Sequence, residues 1–79
     1  MTSPPDGADG RHVRFFERAG DDARAALETL ARRLREGGAA VELLASAERP
    51  DLWLLTARGG PEVPVDDATR TWRFTVVAP

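Results

Sequence analysis

The chain has 79 residues, with 11 basic and 13 acidic side chains and a formal net charge of −2. It holds no Cys, so disulfides, thiolate metal sites and thiol redox chemistry are excluded. The weak negative charge argues against a dedicated nucleic-acid binder, and no apolar run is long enough for a membrane span. Every basic residue is Arg, and Lys, Asn, Gln, Ile and Tyr are absent, a usage expected of a GC-rich bacterial genome. The N-terminus lacks a basic-then-apolar layout, so a cytoplasmic protein is expected.

Residues 1–10 read as a disordered tail, because Pro4, Pro5, Gly7 and Gly10 with Asp6 and Asp9 leave nothing to bury. A single small domain is expected over 11–79. Its first strand is His12 to Glu17, with Val13 and Phe15 on one side and His12, Arg14 and Phe16 on the other.

A helix is predicted over about 22–36. Asp21 or Asp22 can cap it, and Ala23, Ala26, Leu27, Leu30, Ala31 and Leu34 form one apolar stripe. Glu28 stands one turn before Arg32. Arg32, Arg33 and Arg35 suit the negative end of the helix dipole, so that cluster needs no anionic ligand. Gly37-Gly38 supplies the stop.

Three more strands follow. Ala40 to Ala47 alternates, with Val41, Leu43 and Ala45 on one side. Glu48-Arg49-Pro50-Asp51 makes a turn. Leu52 to Arg58 is nearly all apolar and reads as a central strand. Residues 59–67, with Pro61 and Pro64, form a loop, and Thr69 to Ala78 alternates cleanly. The fold is therefore α+β, of order β-α-β-β-β. One amphipathic helix packs on one face of a four-stranded, mostly antiparallel sheet.

This order resembles half of the ferredoxin-like plan, which is used by dimeric α/β-barrel monooxygenases, ACT domains and RNA-recognition motifs. Each of those has a second helix before the last strand. Here the prolines of the 59–67 loop forbid one, and no functional residue is carried over.

One helix about 10 Å wide cannot cover four strands about 4.8 Å apart. Apolar sheet surface should therefore remain for a partner. With Val13/Phe15, Val41/Leu43 and Trp72/Phe74 assigned to the helix, the opposite face carries Phe16, Leu44 and Val77, with either Leu52 and Leu54 or Trp53 and Leu55 from the third strand; Phe16, Leu44, Leu54 and Val77 are taken as the contact centre, rimmed by Arg14 and Arg73. The expected role is a non-catalytic module that forms a homodimer through this face or through a strand edge. An alternative is a small-molecule or enzymatic domain with a pocket lined by His12, Arg14 and Trp53. A third is single-stranded nucleic-acid binding by the Arg70-Thr71-Trp72-Arg73-Phe74 run, against which Trp72 and Phe74 read as core.

No catalytic constellation stands out. His12 is read as a strand-end surface residue. Glu62, Asp66 and Asp67 do not follow a calcium-loop spacing. Arg58-Gly59-Gly60-Pro61 lacks the strand-to-helix setting and the Lys of a phosphate loop. No cofactor or metal is expected.

Overall fold

A computed structural model describes residues 12–78. The proposed tail over 1–10 lies outside the described residues. Five elements follow in the order read from the sequence: β1 His12–Ala19, α1 Ala23–Glu36, β2 Ala40–Ala45, β3 Leu52–Arg58 and β4 Arg70–Thr75. The strands form one antiparallel sheet in the order β2-β3-β1-β4. Thus β1 and β2 run parallel with β3 between them, and α1 makes the connection. This is the split β-α-β unit of ferredoxin-like folds, with a loop over 59–69 where that plan has its second helix.

The helix stripe buries Ala23, Leu27, Leu30, Ala31 and Leu34. Its main sheet contacts are with β2 and β3, then β1. The core joins this stripe to Phe16, Leu55, Ala57 and Ala39, flanked by Val41, Leu43, Trp53 and Val63. Ala23 and Ala31 are both buried on this stripe, where a small side chain leaves room for close packing.

The helix ends are held unequally. At the C-terminus, Ala39 N–H donates to Leu34 O at 3.0 Å and Gly38 N–H to Arg35 O at 3.0 Å. This Schellman pattern needs a left-handed residue between them, and Gly38 has φ +98. At the N-terminus, Asp22 occupies the cap position but makes no side-chain cap bond. Its Oδ2 instead accepts from Arg18 at 2.9 Å. The expected capping bond is lost to a charged competitor, although the carboxylate still favours the positive helix end. Glu28 likewise accepts at 3.1 Å from Arg24, one turn before it, and not from the expected Arg32, one turn after it.

Register decides which side chains face α1. Phe16 stands opposite Leu55, which stands opposite Leu43. Residues directly opposite share a sheet face, so His12, Arg14, Phe16 and Arg18 all lie on the helix side of β1. Partners on β4 follow: Thr75, Arg73 and Thr71 are on that side too. This reverses the expected orientation of β1 and β4. Val13, Phe15, Trp72 and Phe74 face away from the helix. Phe16 is core at 4% exposure, so it cannot centre an interface. Arg14 and Arg73 lie on the helix side and do not rim the opposite face.

Those arginines are where they are because of the loop. Arg14 donates to Pro61 O at 2.7 Å, to Gly59 O, and to Glu62 at 3.4 Å. Arg73 reaches the other oxygen of Glu62 at 2.8 Å. Arg18 donates to both oxygens of Asp66, at 2.7 and 2.8 Å, and to Thr69 Oγ1 at 3.1 Å. The 59–69 loop is thereby stapled over the β1/β4 half of the helix side. Val63 packs against the core beneath it. Glycine permits the close approach: Gly60 has φ +80, and a Cβ there would stand 2.7 Å from the Cβ of Ala39.

Candidate interaction surface on the helix-free side

The face away from α1 can be laid out from the register, in the strand order β2-β3-β1-β4. One row reads Ala40, Arg58, Val13, Phe74; the next reads Glu42, Thr56, Phe15, Trp72; the third reads Leu44, Leu54, Glu17, Arg70. Two apolar areas lie diagonally across this grid. Phe15, Trp72 and Phe74 make an aromatic corner on β1 and β4. Leu44 and Leu54, with Leu52 beyond them, make an aliphatic corner on β3 and β2.

The aromatic corner is exposed, with Phe74 at 53% and Trp72 at 38%. Phe74 meets Phe15 edge to face, with ring centroids 5.1 Å apart and planes at 86°, the geometry favoured by the ring quadrupoles. The Arg70 guanidinium lies 5.5 Å from the Trp72 centroid, a cation–π contact. Arg70 also stands opposite Glu17. The aliphatic corner borders a groove of about 280 Å³ lined by Leu44, Leu52, Leu54, Trp53 and Glu17; Leu44 is 40% exposed. Two arginines, Arg58 and Arg70, and two glutamates, Glu17 and Glu42, share the face, so its formal charge cancels.

Of the six interface residues expected from sequence, the structure brings two to this face, Leu44 and Leu54. Val77 lies past the end of β4 and is 94% exposed. Phe15, Trp72 and Phe74 were missed because strict alternation on β4 looked like a core pattern, when it is an edge strand with its aromatics turned outward. Charge pairing carried the missing signal. Arg14 and Arg18 share the parity of Phe16, and the loop carboxylates Glu62 and Asp66 are their natural counterparts.

The other candidate residues are dispersed. His12 Nδ1 lies 3.2 Å from Thr75 Oγ1. Arg14 stands opposite Ala57, and Trp53 opposite Arg18. Arg14 and Trp53 are therefore four residues apart along the strands, about 14 Å, and do not share a pocket wall. Trp53 lies under Arg24, whose guanidinium is 5.5 Å from the ring centroid. The acidic loop is occupied internally. The bonds from Arg18 hold the Asp66 carboxyl below its ordinary range, against the opposing effect of burial. Among the described residues, no group of three or more His, Asp or Glu is placed to hold a metal ion, and no helix is long and apolar enough to cross a membrane. The chain matches no protein-family model, no curated protein and no solved structure.

Proposed function

We propose that this chain is a non-catalytic interaction module that works as a homodimer, joined at the β4 side of its helix-free sheet face. The observation that carries this reading is the exposed pair Trp72 and Phe74, backed by Phe15, on the sheet face turned away from α1. Aromatic side chains with arginine beside them are enriched in protein interfaces. A face whose two positive and two negative side chains cancel can meet its own copy without accumulating charge.

Light scattering across concentration tests the proposal. The expected result is an apparent mass that doubles from the monomer's 8.6 kDa between low and high micromolar protein. Phe74→Asp should hold the chain monomeric with its far-ultraviolet spectrum unchanged, because Phe74 is half exposed. A strict monomer at high micromolar concentration removes the proposal.

Single-stranded nucleic acid is a second reading, favoured by the same three aromatics on an open sheet with Arg58 and Arg70 near them. The cancelled charge of the face and the net −2 of the chain weigh against it. Its signature is oligonucleotide affinity that falls steeply with salt and disappears in Trp72→Ala.

A further inference from the structure

We infer that the second copy joins edge to edge along β4, antiparallel and centred on Trp72, giving one continuous eight-stranded sheet. This deepens the proposal above and rests on it. The sheet has two free edges, β2 and β4. On β4 all six residues are exposed, and the strand has no proline and no bulge in its ladder with β1; its edge charges are Arg70, spread over Trp72, and Arg73, paired with Glu62. Its sequence, Arg-Thr-Trp-Arg-Phe-Thr, is rich in the aromatic and β-branched residues that suit pairing.

Overlap leaves two registers for this six-residue strand against its own copy, centred on Trp72 or on Arg73, and charge chooses between them. When an antiparallel strand pairs with its own copy, positions at equal distance from the centre face each other. Centred on Arg73, the pairing sets Arg73 against the partner's Arg73, a like-charge contact at the closest point. Centred on Trp72, it sets Trp72 against the partner's Trp72, Arg70 against the partner's Phe74 and Thr71 against the partner's Arg73. Both arginines then face uncharged partners, and Arg70 gains a second aromatic surface. The corresponding choice at the other edge is poorer. Centred on Glu42, β2 opposes two carboxylates; centred on Leu43, it places Glu42 against the partner's Leu44. The two-fold axis through Trp72 keeps both helices on one side and joins the two aromatic corners on the other. Such an edge contact is smaller than a standard interface, so dissociation at about ten to a hundred micromolar is expected.

The absence of cysteine makes the test clean. Opposed residues in an antiparallel ladder have Cα atoms about 4.5–5.5 Å apart, inside the range a disulfide spans. Trp72→Cys should therefore cross-link to itself under mild oxidation. A mixture of Thr71→Cys and Arg73→Cys should cross-link as a heterodimer, and Leu44→Cys on the opposite edge should not. In the unaltered protein, hydrogen exchange at the outward amides of β4 should slow as concentration rises, since edge pairing engages the backbone and face packing does not. If scattering reports a dimer but position 72 fails to cross-link and β4 exchange ignores concentration, the edge register is wrong while self-association stands. If the unaltered protein is monomeric throughout, both proposals fall together.

Discussion

Two adjacent phenylalanines offer the sharpest test of which side of β1 is core. Phe16 is 4% exposed, packed among Leu27, Leu30, Leu34 and Leu55. Phe15 is half-buried on the opposite face and meets Phe74 at 5.1 Å. Truncating a core phenylalanine to alanine costs about 3–5 kcal/mol, as the transfer term and the cavity term add. A domain of this size has about 4–12 kcal/mol in total. Phe16→Ala should therefore leave the chain marginal or unfolded at 25 °C. Phe15→Ala loses one edge-to-face pair and part of an exposed surface, about 1–2 kcal/mol. Urea unfolding followed by circular dichroism, at dilute protein to exclude association, measures both. Phe16→Leu, which fills more of the site, keeps the comparison measurable if the alanine variant does not fold. Equal losses at the two positions, or a larger one at Phe15, would refute the assignment of faces and every surface argument built on it.

Two glycines separate conformational cost from steric cost. Gly38 has φ +98 with open space around it, so Gly38→Ala should cost about 1 kcal/mol of left-handed strain. Gly60→Ala adds a Cβ 2.7 Å from that of Ala39 and should cost about twice as much or more; equal melting shifts would sink the distinction. The Arg18–Asp66 latch predicts an acid limit. Asp66 is held below its ordinary value near 3.8, chiefly by the Arg18 hydrogen bonds. Its contribution is therefore fully present above that value and lost as pH falls through the lower folded one. A carbon-13 titration of the Asp66 carboxyl should show a midpoint below 3.8 that moves up in Arg18→Met; an unchanged midpoint would break the latch argument.

The helix was legible to within one residue because two independent signals agreed: a continuous apolar stripe from Ala23 to Leu34 and the glycine pair after Glu36. The central position of β3 was expected from its nearly continuous apolar run, and β3 does lie between β2 and β1. Side orientation was not legible on β1 or β4. On β1 both faces carry apolar residues, Val13 and Phe15 against Phe16, and on β4 the face that holds Trp72 and Phe74 reads as the inner one. Alternation fixes that two sets of residues face opposite ways; it does not say which set is inside. Tertiary charge pairing broke the tie. The same pairing overrode the local expectation at Asp22, whose carboxylate serves Arg18 and leaves the helix cap unmade.

The outward direction of Trp72 and Phe74 follows from what covers the inner side of β4. The helix packs chiefly on β2 and β3, so the inward side of β4 meets the 59–69 loop, which presents carbonyls and carboxylates. Arginine and threonine suit that cover, and Arg73 and Thr71 are there. With a period of two, the alternate residues Trp72 and Phe74 must then stand on the far face. Slipping the strand by one residue would push two aromatic rings under a polar loop and turn Arg73 away from Glu62. Both changes are costly, the second because the hydrogen bond from Arg73 to Glu62 would be lost. The fold thus explains why β4 faces as it does, but it does not explain why the outward positions are Trp and Phe. Polar residues there would meet the same register without exposing apolar area. What the monomer leaves unaccounted for is the chemical identity of positions 72 and 74, which the proposed second copy along β4 would account for.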